Sequence, residues 1–258
     1  MKSAKILLIG AFTALFCVGV LLVDKAAATP STHIWSPSTD IQAGGTAHIT
    51  ADVYLPSESD ATGAKPDTVT NFGLTGGYWP MPDKLGIEYG FDHIAGYGEL
   101  DDYPIYFNAK VGLVEGSFGS YFPALAVGGY AFGTEHDKTD YNVYYVKAAK
   151  TLALNDFSLG RFSAGYFQGR SKLLVDKYSN SDNKGVLLAW ERVIPEISEK
   201  LWVCVDYQGS DSGLGALAPG FSWKVADNTS LLIGYVFPNN SDLAQTVTIQ
   251  IDIDLDFK

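Results

Sequence analysis

Three aspartates near the end of the chain, Asp252, Asp254 and Asp256, occupy alternate positions of the segment from Thr246 to Phe257. Apolar residues fill the odd positions between and around them. Successive side chains of a strand point to opposite faces, so the carboxylates project from one face and the apolar side chains from the other. Several carboxylates held in a confined space attract cations strongly. The spacing therefore predicts electrostatic attraction of cations.

Other charged residues are predicted to share this polar face, because the first strand of a closed barrel must pair with the last. The candidate lumen and selectivity residues are Asp252, Asp254, Asp256, Asp52, His48, Glu191, Asp206 and Lys110. Glu88 and Asp92 are expected to face inward as well, with Lys84, Lys110 and Arg161 as countercharges. Two interpretations remain open. The carboxylates form a cation-favouring constriction, or they only keep the strands of a wet lumen correctly oriented.

Catalysis finds little support in the residue types. The chain has four histidines, and His93 and His136 lie in predicted loops beside acidic residues, where loop polarity explains them. No histidine or cysteine spacing resembles a zinc site. The acidic stretch from Glu99 to Asp102 lacks the spaced ligands of a calcium site. We expect no enzyme activity, no bound metal and no cofactor.

The elements that must position these residues follow from the alternation of apolar and polar side chains. It recurs in segments of about the length that a tilted strand needs to cross a bilayer. The predicted strands are Ala47–Leu55, Thr68–Trp79, Lys84–Asp92, Ile105–Val114, Phe122–Phe132, Asp140–Leu152, Phe157–Gly169, Gly185–Val193, Lys200–Gln208, Leu214–Val225, Ser230–Phe237 and Gln245–Phe257. They predict an all-β fold, a single transmembrane antiparallel up-and-down β-barrel of about twelve strands over residues 46–258. A secreted soluble sandwich or barrel is the alternative.

Connection lengths favour the membrane barrel. With both termini on the periplasmic side, long polar stretches such as residues 56–67, 93–104 and 170–184 become outer loops. The intervening turns, such as residues 80–83 and 155–156, are short. Long outer loops that alternate with short inner turns are typical of outer-membrane barrels, whereas a soluble sandwich has no reason to alternate in this way.

The beginning of the chain reads as a secretory signal peptide over residues 1–28. Lys2 and Lys5 precede an apolar run, and the small residues Ala26 and Ala28 mark a plausible cleavage site. An uncleaved anchor helix is the alternative. Residues 29–45 contain proline and no strand pattern, so we expect a periplasmic segment that is either disordered or folded into the barrel mouth as a partial plug.

Composition limits the possible partners. The formal net charge is -11, and removal of the predicted signal peptide leaves the chain more acidic still. Nucleic-acid binding is therefore not expected, because phosphates need a basic surface. After cleavage Cys204 is the remaining cysteine, which excludes an intrachain disulfide and makes it a residue of the barrel wall.

The chain resembles bacterial outer-membrane β-barrel proteins, including the small porins, over residues 47–257. The resemblance rests on the signal peptide, the strand rhythm and the final strand, in which Phe257, Leu255, Ile253 and Ile251 match the usual assembly signal and Lys258 departs from it. It implies the outer membrane of a Gram-negative bacterium, contact with membrane lipid and recognition by the outer-membrane assembly machinery.

Two classes of function follow from the predicted barrel. The first is a narrow, cation-favouring passive channel for small solutes or ions, since a barrel of about twelve strands lies between the filled eight-stranded kind and the wide porins. The second is a non-transport barrel that acts as a structural anchor, an adhesin or the sheath of an envelope complex whose partner threads the lumen.

Overall fold

The computed structural model describes residues 32–155 and 157–257. Within these ranges twelve strands follow one another along the chain, and all of the predicted strands are confirmed with ends shifted by a few residues. They are β1 (Thr46–Pro56), β2 (Val69–Met81), β3 (Leu85–Ala95), β4 (Ile105–Leu113), β5 (Ala124–Gly133), β6 (Asp140–Leu154), β7 (Phe157–Gln168), β8 (Lys184–Val193), β9 (Leu201–Gln208), β10 (Ala216–Ala226), β11 (Thr229–Pro238) and β12 (Thr246–Asp256). The predicted signal peptide lies outside the described residues.

The strands form one closed antiparallel barrel in which each strand pairs with its neighbours in the chain and β1 pairs with β12. The closing register sets Thr46 opposite Asp256 and His48 opposite Asp254. It also sets Thr50 opposite Asp252. Closure removes every unpaired sheet edge, which is the condition for a β-structure to cross a hydrocarbon layer.

The outer surface of the barrel is apolar, whereas much of the inner surface is polar. Ile249 and Ile251 on β12 are 36% and 42% exposed, although both are large and hydrophobic. Their counterparts on other strands include Phe72, Phe107, Val111, Val127, Val146, Val186 and Phe221. Many of the buried positions hold polar and charged side chains instead, such as Lys147 and Gln250, and others hold apolar ones such as Leu187. This inside-out arrangement suits a lipid environment and is the opposite of a dry soluble core.

The connections alternate in length, as predicted for most of them. Residues 57–68, 96–104 and 169–183 join strand pairs at one end of the barrel, and residues 82–84 and 227–228 join them at the other. Two connections of the second set, residues 114–123 and 194–200, are the exceptions, because each is longer than residues 134–139 of the first set. A short 3-10 helix occupies Gly98–Asp102. Among the described residues no helix is long and apolar enough to cross a membrane.

Candidate functional site

Residues 32–45, called the N-terminal segment below, lie inside the barrel, where two isoleucines fit against glycines of the wall. A Cβ atom on Gly220 or Gly234 would lie only 2.7 or 2.5 Å from the side chain of Ile34. A Cβ atom on Gly86 or Gly112 would lie 2.7 or 2.8 Å from that of Ile41. Glycine at these positions lets the segment approach the wall closely.

An ion-pair chain holds the middle of the N-terminal segment to the barrel wall. Arg161 on β7 donates hydrogen bonds to both carboxylate oxygens of Asp40, one of them at 2.7 Å. The same guanidinium donates through Nε to Glu191 on β8 at 2.8 Å. Trp202 on β9 donates to the second oxygen of Glu191 at 2.9 Å. All four groups are largely removed from solvent, and each charge has a partner of opposite sign.

Lys147 on β6 holds the beginning of the same segment and is fully buried. Its ammonium donates to the carbonyl of Pro37 at 2.7 Å and to Nδ1 of His33 at 3.1 Å. Because a lysine only donates, Nδ1 of His33 accepts, and the ring proton lies on Nε2. That nitrogen lies 3.3 Å from Glu191, to which it donates.

Asp206 on β9 contributes a carboxylate that is 1% exposed. It accepts a hydrogen bond from the backbone N–H of Ser36 at 2.6 Å. Further along the segment, the backbone N–H of Gln42 donates to Glu88 on β3 at 2.7 Å. Lys110 on β4 lies 3.2 Å from Glu88. Polar contacts thus bind the segment to opposite sides of the barrel. Because these groups are removed from water, breaking one of the hydrogen bonds would cost free energy.

The aspartates of β12 lie beside β1, where His48 faces two of them. Its Nδ1 is 3.0 Å from Asp254 and its Nε2 is 3.2 Å from Asp252. Asp254 also accepts from the side chain of Gln42 at 2.9 Å. Asp256 is exposed at the end of the strand. Part of this ladder is therefore tied to a histidine and to the N-terminal segment.

A cavity of about 570 Å³, called the vestibule below, occupies the lumen on the side of the long connections. Leu174, Leu214 and Leu243 from three of these connections contribute to its lining, and none of the opposite turns does. Trp35 of the N-terminal segment also lines it, packs edge-to-face on Tyr54 with ring centroids 5.7 Å apart, and donates to the carbonyl of Leu214 at 2.8 Å.

Two carboxylates on one wall of the vestibule are held by neutral groups. Asp52 on β1 accepts from Thr50 at 2.6 Å and from the amide of Asn71 at 3.1 Å. Asp92 on β3 accepts from the same amide at 3.3 Å and from Asn108 at 2.8 Å. Within the described residues no lysine, arginine or histidine forms an ion pair with either carboxylate.

The predicted lumen residues thus fall into three groups. Asp52 and Asp252 line the vestibule, together with His48 and Lys110. Glu191, Asp206 and Asp254 instead contact the N-terminal segment, and Asp256 is exposed at the end of β12. Lys84 was predicted as a countercharge, and this prediction is wrong, because Lys84 lies exposed in the β2–β3 turn with its ammonium 5.8 Å from the ring centre of Phe118.

Sequence reasoning missed two charged residues, Lys147 and Asp40, that hold the N-terminal segment in the lumen. Lys147 occupies an inward position of β6, in step with Val143, Tyr145 and Ala149, and that alternation was the signal that could have revealed it. Asp40 lies in a stretch without any strand pattern, so no periodicity indicated its direction.

The long connections carry one group of possible metal ligands, His136, Asp137 and Asp140. Within the described residues it is the one such group. The positive charge that neutralises its aspartates comes from basic side chains of the protein. Arg170 donates to both aspartates and Lys172 donates to Asp137. The hydrogen bond from Lys172 and the charge of Arg170 lower the pKa of Asp137. The group therefore acts as a clamp between residues 134–139 and 169–183.

This clamp predicts a pH response of the outer connections. A carboxylate with a lowered pKa stabilises the folded arrangement at pH values above its unfolded pKa of about 3.9, and the stabilisation is lost as pH falls through the lower folded value. We expect residues 134–139 to keep their hydrogen-exchange protection factors from pH 7 to about pH 4 and to lose them on further acidification. Asp137→Asn should remove this acid-dependent step; an unchanged step would contradict the clamp.

Solved structures with the same architecture are outer-membrane barrels. The KdgM porin aligns with a TM-score of 0.50 at 7% sequence identity, over 80% of this chain and 98% of the porin. An outer membrane channel from Pseudomonas putida F1 aligns at 0.47 with 12% identity over 84% and 97%, and the Acinetobacter baumannii protein Omp33 at 0.44 with 9% identity over 81% and 98%. No protein-family model matches the sequence, and no curated protein does.

The likeness to the KdgM porin, at this low identity, concerns the fold. Together with the closed antiparallel barrel and its apolar exterior, it shows that the chain has the β-barrel fold of outer-membrane porins. The predicted resemblance to small porins is confirmed at this level, and no narrower family follows from it.

Proposed function

We propose that the protein is an outer-membrane barrel that forms a narrow, cation-favouring passive channel for small solutes. Its apolar exterior fits lipid, and the final strand presents Ile251 and Leu255 outward with Phe257 exposed after it, as an assembly signal requires. The observation that carries the proposal is the charge of the vestibule wall. Asp52 and Asp92 lie there beside neutral partners only, so their field acts on whatever enters.

The charges deeper in the lumen contribute less to this field. Arg161 compensates the charge of Glu191, to which the neutral ring of His33 also donates a hydrogen bond, and Lys110 compensates the charge of Glu88. Such pairs hold structure together but present little net charge to a passing ion. The preference for cations is therefore expected to arise from Asp52 and Asp92, with a further contribution from the aspartates of β12.

The N-terminal segment acts in this proposal as a partial plug that narrows the channel. It crosses the lumen between contacts on β3, β6, β7, β8, β9 and β12. The opening beside it is correspondingly small, which restricts passage to small solutes and ions.

The same plug favours one second candidate function. If the buried contacts of the N-terminal segment are permanent, the barrel serves as an anchor or as the sheath of an envelope complex, and no solute passes. The two functions differ in a single observable, the conductance of the purified protein in a bilayer.

Neutralising the aspartates of β12 tests the proposed selectivity. We expect Asp252→Asn/Asp254→Asn/Asp256→Asn to shift the reversal potential in a potassium chloride gradient toward zero, because three carboxylates on the polar face of β12 lose their charge. The shift should be larger at low salt, since the screening length is about 10 Å at 0.1 M and about 3 Å at 1 M. Asparagine keeps the shape of each side chain, so the barrel should still fold.

A matched variant controls for net charge. Asp102, Asp211 and Asp242 are exposed in the outer connections, and their replacement by asparagine removes the same charge outside the lumen. This triple variant should leave the reversal potential close to that of the wild type. Equal shifts in both variants would contradict a local role for the β12 aspartates.

A further inference from the structure

The vestibule has the dimensions and the lining of a ligand site as well as those of a passage. Its volume of about 570 Å³ falls within the range of pockets that enclose small organic molecules, about 300–1,000 Å³. Trp35 contributes to the lining, so the N-terminal segment supplies part of the wall of this space. A solute that enters from the outer side meets this space first.

Seven aromatic side chains contribute to the lining. They are Trp35, Tyr54, Tyr97, Tyr106, Tyr130, Tyr141 and Tyr145. Tyr97 is 52% exposed and so presents ring surface to an entering molecule. Aromatic rings offer apolar surface and a negative face that attracts cations, and sites for ammonium groups in proteins are commonly built from them.

The charged residues of the lining are mostly acidic, and the basic ones are engaged. Lys110 pairs with Glu88 at 3.2 Å, and His48 lies 3.2 Å from Asp252. Asp52 is only 6% exposed, yet its carboxylate and that of Asp92 are bridged by the Asn71 amide rather than by a cation of the protein.

The Asn71 side chain gives an independent indication that a hydrogen-bond donor is missing at this place. Its amide nitrogen donates to both carboxylates, but its carbonyl oxygen is buried without a hydrogen-bond partner. A buried carbonyl that accepts nothing is costly, and so are two neighbouring carboxylates without a countercharge. A ligand that carries N–H donors and positive charge supplies the countercharge that the two carboxylates lack.

A metal ion fits this place less well than an organic cation. Divalent ions take several oxygen ligands at short distance. Among the described residues, the one group of His, Asp or Glu side chains close enough together to ligate a metal ion is that of His136, outside the vestibule. The aromatic lining also has no role in holding a metal ion. An anionic solute is disfavoured by the same carboxylates.

We propose that the vestibule binds small organic cations, with an ammonium group at Asp52, Asp92 and Asn71 and the carbon skeleton against the surrounding tyrosines. The proposal names the substrate class of the channel proposed above and rests on that function, but binding is measured without any transport. Failure of binding therefore leaves the conductance experiment intact, and failure of conductance leaves the binding result intact.

The test is calorimetric titration of the detergent-purified protein with three probes of equal length: 1,4-diaminobutane, its neutral analogue 1,4-butanediol and the dianion succinate. The diamine is expected to bind, and the diol and succinate at least about tenfold more weakly, because a charge-assisted hydrogen bond contributes about this factor or more. This comparison uses the wild type alone, so it does not depend on the folding of any variant.

Variants then locate the site. Asp52→Asn/Asp92→Asn is expected to weaken diamine binding about tenfold or more, with heat-modifiable gel mobility as the check that the barrel is folded. Asp102→Asn, an exposed outer-connection residue, should bind as the wild type does. The proposal is overturned if the diamine does not bind, if the diol binds equally well, or if the folded double variant retains wild-type affinity.

Discussion

Deletion of residues 32–44 is expected to raise the single-channel conductance several-fold. The segment lies in the lumen, and its contacts with Arg161, Lys147 and Asp206 hold it against the wall. Its removal leaves a wider water-filled path of the kind found in larger barrels. Conductance of the purified variant in a planar bilayer, compared with that of the full-length mature protein at equal salt, gives the result.

Two controls make this deletion decisive. Removal of residues 58–65, most of which are exposed in the first outer connection, shortens the chain without opening the lumen and should leave the conductance nearly unchanged. Cys204, whose side chain is 1% exposed and clusters with Ile34, should react faster with a maleimide once the segment is gone. Unchanged conductance and unchanged Cys204 reactivity together would contradict the plug.

Arg161→Met is expected to release the N-terminal segment without deleting it. The guanidinium binds Asp40 and Glu191 at once, and its loss leaves two poorly solvated carboxylates without their cation. Breaking a buried ion pair in this way costs about 3–5 kcal/mol. The expected readouts are a conductance that rises toward that of the deletion variant and faster maleimide labelling of Cys204.

The matched control is Arg192→Met, which removes an arginine paired with Glu196 at the opposite end of the barrel from the vestibule. Glu196 is 47% exposed, so loss of Arg192 leaves no buried carboxylate without its cation, and conductance and labelling should stay close to wild type. In the deletion background Arg161→Met should have no further effect on conductance. An additional increase there would show that Arg161 acts on the pore by a route other than the segment.

Much of the fold could be predicted from the sequence because the alternation of side chains in a membrane-barrel strand shows which face of the strand each residue occupies. The alternation in β12 assigns each of Ile249, Ile251 and Asp252 to a face, and burial in the structure follows that assignment. Closure then sets the register between β1 and β12. The predicted ends of the strands were less accurate. Pro56 and Pro238 were predicted to begin outer connections, but each is the last residue of a strand.

The site could be predicted only in part, for a physical reason. Alternation reveals that Asp52, Glu191 and Asp206 face inward, but it carries no information about which charge each one meets. That depends on the path of the N-terminal segment, which is irregular and is positioned by long-range contacts such as Asp40 with Arg161 and Lys147 with the carbonyl of Pro37. Sequence periodicity does not encode such contacts.

Cation preference of the intact mature protein tests the central proposal most directly. Single channels in a planar bilayer, with 0.1 M potassium chloride on one side and about 1 M on the other, give a reversal potential whose sign identifies the favoured ion. The proposed channel conducts with small unitary steps and reverses at a potential that favours potassium, owing to Asp52, Asp92 and the aspartates of β12. A folded protein that shows no unitary conductance, or one that reverses in favour of chloride, would contradict it.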